Sequence, residues 1–128
     1  MKEKMITVLK VEPGKHPEVC KLKNDLDALQ KAVSIGCDSQ GLIEIVEIDD
    51  GICILCNEEG KLIGLEGNRK IGNDIITGVF YVTSEDAEGN LASLSDRQME
   101  TYQKRFWEIE SYTAEDILKS ICIKFFYN

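Results

Sequence analysis

The sequence predicts an α+β domain: an antiparallel, mainly meander sheet packed against one N-terminal helix and two C-terminal helices. Three observations carry this. Short apolar or alternating runs at residues 5–11, 42–48, 52–56 and 74–83 read as strands. The joints Asp49-Asp50-Gly51 and Asn57-Glu58-Glu59-Gly60 are tight, which suits antiparallel neighbours and not crossovers. Helix signals gather toward the two ends, so strands and helices are segregated along the chain. At 128 residues the chain suits one domain. Such a chain buries roughly two-thirds of its unfolded surface, so it needs no disulfide or metal to fold.

The elements follow in order. Residues 5–11 alternate and form the first strand. Glu12-Pro13-Gly14-Lys15-His16-Pro17 is a turn that holds both prolines of the chain. Residues 18–23 return as its partner, with Val19 and Leu22 apolar. Asn24 or Asp25 caps a helix running to about Ser34, in which Leu26, Leu29 and Val33 share a face and Gly36 is the stop. Residues 42–48, 52–56 and 61–65 are expected as three strands of a meander. Residues 66–73 are expected as a Gly- and Asn-rich loop, and 74–83 as one further strand with a return at 91–94. Ser95 with Gln98, and Thr113 with Asp116, match capping boxes of two helices. Met99, Tyr102 and Phe106 share a face of the first. The ending Cys122-Ile123-Lys124-Phe125-Phe126-Tyr127 is β-prone and is expected as a last strand, covered or paired.

Fifteen Lys and Arg against 23 Asp and Glu leave a net charge of −8. Phosphate backbones are repelled by such a surface, so direct nucleic-acid binding is disfavoured. The charge serves solubility and also suits a partner protein with a basic surface. No apolar run reaches the ~20 residues of a membrane span, and the N-terminus lacks the apolar core of a secretory signal. Five cysteines without that signal read as reduced thiols in a cytosol. Cys53 and Cys56 form a C-x-x-C within a strand, where residues three apart face opposite ways. The two thiols are therefore expected to be structural, neither a redox pair nor a metal site.

Catalytic patterns are few. The single histidine, His16, lies in a turn between prolines, and no phosphate-cradling motif occurs. Asp49-Asp50 is a turn sooner than an acid–base dyad. The most unusual stretch is 57–78, with five of the ten glycines and with Lys61, Arg69 and Lys70 in an acidic chain. Two readings stand. Asn68 and Asn73 close turns while Arg69 braces the loop against a carboxylate such as Asp74. Or the loop binds a ligand through Asn57, Lys61, Asn68, Arg69, Lys70 and Asn73.

Several segments resemble the small domains of domain-of-unknown-function family 3846. They are V-L-K-V-E-P-G-K at 8–15, D-L-D-A-L-Q at 25–30, I-E-I-V at 43–46, C-N-E-E-G-K-L-I-G-L-E-G-N-R at 56–69 and D-I-I-T-G-V-F-Y-V at 74–82. The likeness covers roughly residues 1–106 and leaves 107–128 as a helix–strand extension packed on that domain. Family members often carry proline before the Asn-Arg pair, where this chain has Glu66-Gly67. The resemblance implies an accessory protein of phages or mobile elements, without an established activity.

Two functional expectations follow. The first is a non-enzymatic protein without cofactor or metal, in the cytosol of a host bacterium. It would bind a host protein or nucleoprotein through a basic patch on that partner, for instance as a defence antagonist, with Trp107, Phe106 and Tyr112 as a candidate apolar anchor. The alternative is a binder of a small nucleotide-like anion at the Asn68-Arg69 loop. The C-terminal strand would offer pairing between two copies of the chain.

Overall fold

The computed structural model describes residues 3–127. In chain order the elements are β1 (Met5–Val11), β2 (Glu18–Lys23), α1 (Leu26–Ala32), β3 (Ile43–Asp49), β4 (Ile52–Asn57), β5 (Gly67–Ile71), β6 (Asp74–Thr77), β7 (Phe80–Glu85), β8 (Leu91–Ala92), α2 (Asp96–Arg105) and α3 (Ala114–Tyr127). Five strands lie side by side in the order β2-β1-β7-β4-β3, and β8 pairs β7. All of these pairings are antiparallel. β5 and β6 form a separate two-stranded sheet. The α+β class and the antiparallel sheet are as the sequence predicts.

Strand alternation sorts the core onto the two faces of the sheet. Leu9 and Val11 of β1, Ile52, Ile54 and Cys56 of β4, and Phe80 and Val82 of β7 meet Tyr102 and Phe106 of the α2 region and Ile76 of β6. On the other face Ile6, Val8, Leu55 and Tyr81 meet Leu29 and Val33 from the α1 region. Both anchoring helices are capped. Asp25 accepts the Ala28 N–H at 2.8 Å, and Ser95 and Gln98 close a reciprocal capping box. Phe80 and Phe106 meet edge to face at 5.3 Å, which ties α2 to the centre of the sheet.

Several expectations are corrected. Residues 61–65 are not a strand; they belong to a helical turn that follows β4. Residues 66–73 are not a loop, because Gly67–Ile71 pairs with Asp74–Thr77 as a hairpin. Gly72-Asn73 makes its two-residue turn, with a positive φ only at Gly72. The run 74–83 is not one strand. It breaks at Gly78 (φ +73°), where the chain leaves the hairpin and re-enters the large sheet as β7 between β1 and β4. The meander therefore stops after β3–β4. Leu26 is exposed, because the face of α1 that packs is the one carrying Leu29 and Val33.

The expected C-terminal strand is replaced by the second half of α3. The Thr113–Asp116 capping box starts this helix, and helical order then runs on through the β-prone residues. A homodimer joined through that strand loses its structural basis. The side chains of residues 122–127, Cys122 included, lie outside the described residues. α3 rests on the β5–β6 hairpin: a Cβ at Gly67 would fall 2.9 Å from the Tyr112 Cβ and 3.5 Å from Ile117. Cys20, Cys37 and Cys53 are free thiols. Cys53 donates to Glu85 at 3.0 Å and Cys56 to Glu44 at 3.7 Å, from opposite faces of β4.

Candidate functional site

The stretch 57–78 divides into an inward and an outward part. Asn68 and Arg69 of β5 are both fully buried. A guanidinium has five N–H donors and cannot shed its charge cheaply, so its burial demands acceptors. Four backbone or side-chain oxygens lie in reach. Nε and Nη2 donate to the Phe106 carbonyl at 3.1 and 3.0 Å, and Nη2 also donates to the Lys15 carbonyl at 2.8 Å. Nη1 donates to Asn68 Oδ1 at 2.8 Å and more weakly to the Asn68 carbonyl at 3.5 Å. Asn68 in turn donates through Nδ2 to the Val11 and Gly78 carbonyls at 2.9 and 2.8 Å. The acceptor at Phe106 caps the C-terminal end of α2, where a cation also meets the negative end of the helix dipole. Burial holds the Arg69 guanidinium below its usual value, partly offset by the Glu110 carboxylate.

Arg69 therefore joins β5, the β1–β2 turn and the end of α2. Its bracing partners are carbonyls and Asn68. Asp74, expected as that partner, is instead paired with Lys61. Asn57, at the end of β4, is buried too: Oδ1 accepts the Glu59 N–H at 2.8 Å, and Nδ2 donates to the Val33 carbonyl at 3.4 Å. Lys70 and Asn73 are exposed on the hairpin, and the Lys70 N–H donates to Glu110 at 3.0 Å. The six predicted residues thus do not converge. Asn57 and Lys61 line one small crevice with Asp74 and Glu58, whereas Asn68 and Arg69 point into the interior.

The outward feature is the helical turn between β4 and β5. Asn57 caps its start. Ile63 N–H bonds the Glu59 carbonyl at 3.0 Å, and Leu65 N–H reaches back to the Gly60 carbonyl at 2.9 Å across Gly64 (φ +76°). That is a Schellman closure around a left-handed glycine. A Cβ at Gly60 would lie 2.4 Å from Thr77 Oγ1, so the turn is seated tightly on β6. Both ends being fixed, the turn presents its apolar residues outward. Leu62 is 83% exposed and Ile63 50%. Ile63 and Leu65 form one wall of a cleft of about 360 Å³ whose other wall is residues 36–42, with Asn57 between them. Asp38 and Glu59 supply the charge in this cleft, which no lysine or arginine lines.

The sequence model described as "Domain of unknown function (DUF3846)" matches residues 6–107. The chain belongs to DUF3846. No curated protein matches it, and no solved structure does. The family match to this DUF3846 chain ends at Trp107, so it takes in the sheet, α1, α2 and the hairpin and stops short of α3.

Trp107, weighed as an anchor, is half-exposed and already has a partner. The His16 ring stacks on it at 4.0 Å and 7°, and His16 Nδ1 donates to the Trp107 carbonyl at 2.7 Å. In this DUF3846 domain the stack lies at the outer end of the Arg69 brace, since Lys15 and Phe106 are the neighbours that Arg69 binds. His16→Ala is expected to raise the emission of the single tryptophan and shift it to the red, because a stacked imidazole quenches indole. Stability should fall by about 1 kcal/mol or less. Unchanged emission would show that the stack does not persist in solution. Among the described residues no group of three His, Cys, Asp or Glu side chains is placed to hold a metal ion, and no helix is long and apolar enough to cross a membrane.

The sequence did carry a signal for the exposed turn. Asn57 followed by two glutamates is an N-cap pattern, and Gly64 is the matching stop. The apolar alternation of Lys61–Leu65 hid it. Arg69 offers no such signal, since a buried arginine and a surface one look alike in sequence.

Proposed function

We propose that this chain is a non-enzymatic binding protein whose partner is a protein with a basic surface. In that reading it is an accessory protein of a phage or mobile element, working on a host protein in a bacterial cytosol. The observation that carries the proposal is the capped turn that holds Leu62 83% exposed. Ile63 and Leu42 stand half-exposed on the same cleft, where Asp38 and Glu59 supply the charge, and Glu58 and Glu66 are exposed close by in the chain. A rigid apolar knob in a negative surround supplies both parts of a protein interface. The knob gives a desolvated anchor, and the carboxylates select and steer a cationic partner. A nucleotide-like anion as ligand gains no support from the geometry, because Arg69 is buried and Lys61 is paired.

The test is capture of a partner from the natural host with the tagged protein, followed by Leu62→Asp and Leu62→Ala. Both substitutions are on the surface and should leave melting temperature unchanged within error. Leu62→Ala is expected to weaken capture about tenfold, with a further loss for the aspartate. Added salt should weaken it as well. Capture that ignores both the substitution and the salt would overturn the proposal.

A further inference from the structure

One edge of the large sheet is open and carries charge of a single sign. β3 is the last strand, paired only with β4. Its outward backbone groups can be named. Glu58 N–H bonds the Leu42 carbonyl at 2.9 Å, so residues 42, 44 and 46 turn their backbone groups toward β4. Ile43, Ile45 and Glu47 then present theirs to the outside. Ile45 is 53% exposed there. Natural edge strands are blunted by lysine, proline or a covering element. The opposite edge follows this rule, with Lys21 and Lys23 on β2. β3 has no lysine and no proline, and only the bulge between Glu47 and Asp49 limits it.

The charges decide what such an edge accepts. Residues 41–60 hold six carboxylates, Glu44, Glu47, Asp49, Asp50, Glu58 and Glu59, and no lysine or arginine. From the elements packed nearby, Arg105 of α2 reaches Asp49 at 2.9 Å, and the Cys56 thiol reaches Glu44. A second copy of β3 laid on this edge would bring like charges together across the new pair. A cationic strand meets no such penalty. Leu42, at the head of the strand, lies on the same cleft as Ile63, so the edge is continuous with the exposed turn.

We propose that the open edge of β3, over Ile43–Glu47, takes an extended lysine- or arginine-rich segment of the partner as an added strand. This rests on the binding role given above and names how the partner is held. The incoming backbone bonds Ile43, Ile45 and Glu47, its basic side chains lie beside Glu47 on the face of Ile45, and its branched apolar side chains lie beside Val46 on the other face.

The experiment uses the full chain labelled with nitrogen-15 and a synthetic ten-residue peptide alternating lysine and valine. Saturable shifts and slowed exchange of the Ile43, Ile45 and Glu47 amides are expected, with affinity weakened at least tenfold between low and high salt. Ile45→Pro removes an outward N–H and leaves the ladder to β4 intact, as edge strands allow. It should abolish the protection, and Glu47→Lys should weaken binding about fivefold. A peptide with N-methylated backbone should fail to bind, and a glutamate–valine peptide likewise. Shifts confined to Leu62 and Ile63 would overturn the added strand and leave the binding role standing. Silence at both places would overturn both. Protection of the β3 edge that grows with protein concentration alone would overturn it in favour of self-pairing.

Discussion

Arg69→Ala is expected to lower the free energy of unfolding by about 3–5 kcal/mol, read as a fall in the urea midpoint and melting temperature. The side chain is the largest that is fully buried in the fold. Its removal leaves a void and strips donors from the Phe106 and Lys15 carbonyls and from Asn68 Oδ1. The Phe106 carbonyl and Asn68 Oδ1 are buried, so they bear the desolvation cost alone. A domain of this size has only about 5–15 kcal/mol in total, so the loss is a large share. Arg69→Met separates the two contributions, since it keeps the stem and loses only the donors; it should be milder. Lys70→Ala, next in sequence and exposed, should stay within about 0.5 kcal/mol. An Arg69→Ala protein as stable as the parent but deficient in binding would return this residue to a ligand role.

Stability is also expected to fall steeply in alkali. Burial, reinforced by Glu85, pushes the Cys53 thiol from 9.0 up to about 12. Burial, reinforced by Asp49 and by Glu110 respectively, pushes the Tyr102 and Tyr112 phenols from 10.0 up to about 12, and burial raises Tyr81 as well. Each group holds its proton more tightly folded than unfolded. As pH rises the unfolded chain releases protons first, so the native state loses stability above each unfolded value and is fully favoured below it. Urea midpoints should therefore decline from about pH 9, at roughly 1.4 kcal/mol per pH unit for each group in its window, and faster above pH 10 as the tyrosines join. Cys53→Ala should shrink the loss that begins at about pH 9, leaving the share of Cys20, whose thiol burial also raises, and Tyr102→Phe should flatten the later slope. A midpoint constant from pH 8 to pH 11 would contradict the buried placement of Cys53 and Tyr102.

The sheet was legible in the sequence because its strands alternate, and the signal is strongest where one face is buried. β1, β2, β3, β4 and the three capped helix starts fall where periodicity and caps put them. The errors have physical causes. In residues 61–65, apolar alternation outweighed a cap pair that defines a helical turn. In residues 66–77, Gly72-Asn73 is the hairpin turn, and a run rich in glycine and asparagine reads equally as a loop. At the split, Gly78 has a positive φ and packs against Leu65, whose Cδ1 would lie 2.7 Å from a Cβ there. No local pattern encodes that contact. Residues 122–127 are β-prone one by one, yet they continue a helix that Thr113 and Asp116 begin. For the site, residue type drew attention to Asn68 and Arg69 correctly as unusual. Whether such a side chain points in or out is settled by tertiary packing alone.

The lysines and carboxylates are unevenly spread across the strands. Lys10, Lys21 and Lys23 lie on β1 and β2 with Glu18 as the one acid there, while β3 carries Glu44, Glu47 and Asp49 without a base and β4 carries no charge. The molecule is consequently a lopsided dipole as well as an anion. A cationic body drifting within a Debye length would feel a torque that swings β3 to the front before any surfaces touch. Reversing the sign of Lys21 and Lys23 would leave every β3 contact in place and remove that alignment, so a smaller share of encounters would arrive at β3.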